Sequence, residues 1–115
     1  MQYKITSAQE KWREKLRSLG CVITGEPNPE MHHLYGASTK KKCPRTFETL
    51  WIGQWAQVPL CARLHKDEKK PWFKEEYPDH ELFEKACFLY KLEFGELPFD
   101  QNTYDAIINY HRKSY

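Results

Sequence analysis

The stretch CVITGEPNPEMHHLYG, residues 21–36, decides how this chain is read. Cys21 to Thr24 is short and rich in β-branched residues, Gly25-Glu26-Pro27-Asn28-Pro29 is a turn cluster, and Glu30 to Tyr35 is a second short extended run. Together they predict a β-hairpin with His32 and His33 on its returning strand. Successive strand residues point to opposite faces, so two adjacent histidines share one pocket only where the strand twists or ends. Just before this stretch, Ser7-Ala8-Gln9-Glu10 has the spacing of a capping box. Trp12, Leu16 and Leu19 recur at helical spacing, and Gly20 can close the C-terminus, so a first helix is expected over about residues 8–19.

On the other side, residues 37–48 form a polar, basic loop with Lys40, Lys41, Lys42 and Arg45, and residues 49–57 are apolar, with Trp51 and Trp55. Pro59-Leu60-Cys61 leads into ARLHKDEKK, a short helix over about 62–69 that Pro71 ends. After Pro78, Asp79 is the expected N-cap of a helix over about 80–94. Leu82, Phe83, Ala86, Leu89, Tyr90 and Phe94 form its apolar stripe, and Gly95 stops it. The strict helical period makes that stripe core rather than a base-stacking platform, and Cys87 joins it as a core thiol. Asp100 or Asn102 caps a last helix with Tyr104, Ile107, Ile108 and His111 at helical spacing. The expected fold is α+β with helix dominant: a hairpin and a short helix, flanked by one N-terminal and two C-terminal helices. Residues 1–115 make a single domain, with a core over about 21–70 and a helical extension over about 79–113.

The chain of 115 residues is 40% hydrophobic, 15% aromatic and 30% charged, which is a globular composition and not a disordered one. No apolar run approaches the ~18 residues of a spanning helix, and the start is too polar for a secretory signal. A cytoplasmic, reducing location is expected, with no membrane partner. Cys21, Cys43, Cys61 and Cys87 are then thiols or metal ligands before they are disulfides. The net charge of +2 conceals an asymmetry: residues 1–74 balance to +7 and residues 75–105 to −7. A basic first part points to an anionic partner. Glu75, Glu76, Asp79, Glu81 and Glu84 form either a solvated face or a surface for a protein partner on the acidic C-terminal helices.

Three histidines and two cysteines carry candidate chemistry. His32 and His33 lie on the hairpin, and His65 follows on the short helix. Cys21-x-x-Thr24 and Cys61-x-x-Leu64 each have the first residue of a zinc knuckle, but neither Thr24 nor Leu64 is a zinc ligand. A structural zinc built from Cys21, Cys43, Cys61 and a histidine is disfavoured because Cys43 has no cysteine two to four residues away.

Cys21 with Gly25, Met31-His32-His33-Leu34, and Val58-Pro59-Leu60-Cys61 with His65 four residues on resemble the HNH (ββα-metal) nucleases. The likeness is to the phage-type subgroup that includes the recombination-enhancement nucleases, and it covers residues 21–70. It implies a ββα-metal core and metal-dependent hydrolysis of DNA phosphodiesters. His32 would be a metal ligand, His33 the general base and His65 the second ligand. The implied cofactor is a divalent ion, Mg²⁺, Mn²⁺ or Ni²⁺ before catalytic Zn²⁺. Lys40, Lys41, Lys42 and Arg45 would contact the phosphate backbone, and Arg63, Lys66, Lys69 and Lys70 extend that face.

The chain departs from the family at several positions. Thr24 and Leu64 break the zinc knuckle, leaving Cys21 and Cys61 as buried thiols, with Leu64 and the Trp51/Trp55 pair packing in its place. The family's Asn falls on Ala56, with Gln54 or Gln57 as stand-ins for its backbone-holding role. A further family histidine is Lys69 here. Asp67 and Glu68 are oxygen donors expected to point away from the His65 face. A non-catalytic module binding nucleic acid or protein on the same scaffold is the alternative reading.

Overall fold

A computed structural model describes residues 5–34 and 54–113 of the chain, with side chains through residue 109. Its first helix, α1 (Ser7–Ser18), starts at an extended Thr6 whose Oγ1 accepts the Gln9 amide at 3.1 Å, while the Gln9 side chain accepts the Thr6 amide at 2.9 Å. The capping box therefore sits one residue before the Ser7/Glu10 pair, with Gln9 buried and Glu10 exposed. At the other end Gly20 takes φ +85°, and a Cβ there would stand 2.7 Å from the carbonyl oxygen of Gly25. Only glycine allows that turn.

Among the described residues the strands are β1 (Glu30–His33) and β2 (Gln57–Leu60), antiparallel, with Glu30 opposite Leu60 and His33 opposite Gln57. The returning strand is where it was expected, but its partner is not. Cys21–Thr24 is a turn, because the Cys21 amide donates to the Glu26 carbonyl at 2.9 Å and the Gly25 amide to the Cys21 carbonyl at 2.8 Å. With those groups committed locally, the segment meets the hairpin through one bond, Val22 N–H to the Pro59 carbonyl at 2.8 Å. All of β2 is buried, so it lacks the alternation that marks a half-exposed strand.

Helix α2 (Ala62–Asp67) follows β2 directly from Cys61. Pro71 does not merely end it. Proline fits the first helical turn, where its missing N–H costs nothing, and it opens a further helix, α3 (Pro71–Glu76). Four helices therefore follow the hairpin, one more than expected. Helix α4 (Asp79–Phe94) has Pro78 at its N-cap, so Asp79 is its first residue, and the carboxylate pairs with Lys74 at 3.2 Å instead of capping. Helix α5 (Gln101–Lys113) is capped by Asp100, whose Oδ1 accepts the Thr103 amide at 2.9 Å.

Helices α1 and α4 pack on buried β2, and α2 packs on β1. Trp12 is the centre of the core. Its ring meets Tyr90 at 4.9 Å and Phe99 at 5.1 Å, and its Nε1 donates to the Trp55 carbonyl at 3.0 Å. Trp55 thus packs on α1 and the α4–α5 link. The α4 stripe is core as far as Tyr90. Phe94 lies at the exposed end, under the Lys15 ammonium at 5.2 Å. Among the described residues no helix is long and apolar enough to cross a membrane.

Candidate functional site

The packing of α2 on β1 brings His32 and His65 together, with ring centroids 5.2 Å apart and planes at 63°. His32 is the third residue of β1, paired with Val58, and is only 6% exposed. Its Nε2 is buried without a hydrogen-bond partner and stands 3.9 Å from the Glu68 carboxylate, beyond hydrogen-bond reach. Burial pushes the imidazole pKa down to about 4, against the opposing pull of the Glu68 and Asp79 carboxylates. Burial therefore favours the neutral ring, the form in which imidazole ligates metal.

His65 comes from α2. Its Nδ1 lies 2.7 Å from the Glu30 carboxylate at the start of β1. In the tautomer whose Nδ1 donates to Glu30, Nε2 is left as the acceptor that can ligate. A carboxylate behind a histidine is the usual outer partner of a metal ligand.

Glu68 is the residue that sequence reasoning misplaced. It caps α2 three residues after His65, and positions i and i+3 share a helix face. Its carboxylate turns toward His32, not away from the site. Lys74 on α3 reaches the same carboxylate at 3.9 Å and holds Asp79 at 3.2 Å. Asp79 is thus a buried member of a charge network and not part of a solvated face.

His33 is the last residue of β1, and there the alternation rule gives way. It lines one open cavity of about 620 Å³ together with His32, His65, Glu68, Lys69 and Lys74. Burial lowers its pKa, the Arg13 charge lowers it further, and a Gln54 hydrogen bond opposes them. Its Nε2 has no hydrogen-bond partner. On its other side His33 lines a second cavity, of about 350 Å³, with Arg13, Gln54 and Gln57. Arg13, from α1 and outside the family-like stretch, makes no ion pair with a described carboxylate. Nothing in its helical position distinguishes it from any exposed arginine.

Gln57 is buried and its Nε2 donates to the Gln54 carbonyl at 2.6 Å, holding the turn that leads into β2 opposite His33. Ala56, where the resemblance would place an Asn, is buried and accepts the Leu34 amide through its carbonyl at 2.9 Å. Of the expected phosphate contacts, Lys40, Lys41, Lys42 and Arg45 lie outside the described residues, as do Cys43 and Trp51. The Arg63 guanidinium is bound by Glu26, Lys70 pairs with Asp67 at 2.9 Å, and Lys66 is exposed. Lys69 and Lys74 are the cations that line the histidine cavity.

Among the described residues no set of three or more His, Cys, Asp or Glu side chains is grouped so that it could hold a metal ion. The donor chemistry nevertheless suits a divalent ion: an orphaned buried Nε2 on His32, a His65 paired with the Glu30 carboxylate, and the nearby Glu68 carboxylate. No protein-family model matches the chain, and no curated protein or solved structure matches it.

Proposed function

We propose that the chain is a metal-dependent endonuclease of the HNH type that hydrolyses DNA phosphodiester bonds. The observation that supports this most is the convergence of two histidines from separate elements, His32 on β1 and His65 on α2, on a cavity that also contains His33. His32 and His65 are the ligands, with Glu68 as a further oxygen donor. A divalent ion held there supplies positive charge for a phosphoryl oxygen and for the leaving oxygen. His33, neutral because burial disfavours its charged form, accepts a proton from water at Nε2. Lys69 and Arg13 flank His33 on its two cavities and place cations where a phosphate backbone would run. The Lys40–Lys42 and Arg45 loop adds further cations next in sequence to β1.

The second reading is a module on the same scaffold that binds DNA or protein without cutting, and it is favoured by Ala56 at the family's Asn position. One assay separates the two. Supercoiled plasmid is incubated with the protein and Mg²⁺, Mn²⁺ or Ni²⁺, alongside His33→Ala. Nicking that depends on both the ion and His33 is expected. Equal nicking by both proteins, or none by either, rejects the nuclease reading.

A further inference from the structure

The half-lost zinc knuckle leaves two thiols side by side. Cys21 and Cys61 are 2% and 5% exposed, and each lies close enough to the other to influence its ionisation. Their segments are tied by the Val22 amide bond to the Pro59 carbonyl at 2.8 Å. Cys21 is held in a tight turn by its own backbone bonds to Gly25 and Glu26, and its sulfur accepts the Thr24 amide at 3.4 Å. Cys61 is the residue from which α2 starts. Thr24 and Leu64 replace the other two ligands of a knuckle, so no four-thiolate zinc site competes for this pair.

We propose that Cys21 and Cys61 are a reversible oxidation site, forming a disulfide that closes the Cys21 turn onto the start of α2. This inference is independent of the nuclease reading. The two thiols are not equivalent. Burial opposes ionisation of Cys21, but hydrogen bonds from Thr24 and from the Cys61 and Ile23 backbone outweigh it and lower its pKa. Burial raises that of Cys61. Cys21, whose sulfur accepts the Thr24 amide at 3.4 Å and so has a donor to stabilise its thiolate, is the attacking thiol. With a peroxide as oxidant, its thiolate attacks one peroxide oxygen, the O–O bond breaks, and a sulfenic acid forms at Cys21. Cys61 sulfur then attacks the Cys21 sulfur and expels hydroxide, which leaves as water with the Cys61 proton. Two thiols and one peroxide give one disulfide and two waters. A thiol reductant reverses the product. Buried Cys87 lies apart in α4, where burial pushes its thiol up to about 12, so it stays unreactive.

Peptide mapping of the full chain tests this directly. Hydrogen peroxide is added at a dose that fully consumes free cysteine in the same tube, then remaining thiols are alkylated in denaturant and the chain is cut with trypsin. Cys21, Cys43 and Cys61 fall in separate peptides, residues 18–40, 43–45 and 46–63. The expected product is peptide 18–40 joined to peptide 46–63, lost on treatment with dithiothreitol, together with a melting temperature several degrees higher. That rise should vanish in Cys21→Ser. Recovery of both peptides in alkylated form overturns the proposal, as does a principal link through Cys43. One equivalent of tightly bound zinc that protects both thiols also overturns it.

Discussion

His32 makes the folded protein sensitive to acid in a way that can be sized from its surroundings. Its folded pKa is about 4, against 6.5 in an unfolded chain. Between those values the unfolded chain takes up a proton that the folded one refuses, so stability falls as pH falls. The loss starts near pH 6.5, is complete near pH 4, and is absent above pH 7. A gap of about 2.5 units at about 1.4 kcal/mol per unit gives about 3 kcal/mol. The ring is buried, so solvent screening removes little of this. Against a total stability of about 5–15 kcal/mol, it is a large share. The assay is urea unfolding of metal-free wild type and His32→Gln at several pH values. Subtracting the variant removes the other titrating groups, including neighbouring His33, whose pKa is lowered in the same direction. The wild-type stability minus the variant stability should drop by about 3 kcal/mol between pH 7.5 and pH 4. A difference that stays constant across that range refutes burial as the cause and places His32 in contact with water.

Three further outcomes follow from other positions. Gly20→Ala forces a Cβ to 2.7 Å from a carbonyl oxygen at φ +85°, whereas Gly25→Ala at φ +78° meets nothing within 4 Å. Urea unfolding should show a loss of about 1 kcal/mol for Gly25→Ala and clearly more, about 2–3 kcal/mol, for Gly20→Ala, and equal losses would contradict the close approach. Glu30→Gln leaves His65 without its carboxylate partner, and calorimetric titration with Mn²⁺ should show affinity about 10–100-fold weaker; unchanged affinity would remove Glu30 from the site. Arg13→Gln takes away a charge that lowers the His33 pKa, so the acid limb of the nicking pH profile should move to higher pH. A profile that keeps its position would detach Arg13 from His33.

Periodicity made α1, α4 and α5 legible, because each buries one stripe against the core and keeps the 3.6-residue repeat. The mixed α+β class was legible for the same reason. The strand pairing was not. Gly25 to Pro29 carries every mark of a hairpin turn, yet it closes a local loop on Cys21, and β1 pairs with a strand that begins 24 residues after it ends. Pro59 further disguised β2, since proline within a run usually argues against a strand. It is tolerated opposite Met31 in a two-stranded ribbon, where its carbonyl still accepts the Val22 amide.

At the site, the histidines stood out because their residue type is rare and their spacing resembles a known pattern. Their partners did not. Glu30, Glu68 and Arg13 look like any solvated charge in a sequence, and only the docking of α2 and α1 against β1 gives them work. Glu68 alone left a usable trace, its i+3 spacing from His65. Gln57 donates to the Gln54 carbonyl at the entrance to β2, a bond that a sequence alone does not reveal.

The claim on which the proposed nuclease function depends is that β1 and α2 bring His32 and His65 onto one divalent ion. Crystals of the full chain soaked in Mn²⁺, with diffraction recorded at a wavelength where manganese scatters anomalously, test it most directly. The expected result is a single anomalous peak within coordination distance of His32 Nε2 and His65 Nε2, and its loss in crystals of His32→Ala. A map with no peak between the two rings, or with its peak at Cys21 and Cys61 instead, would contradict the claim.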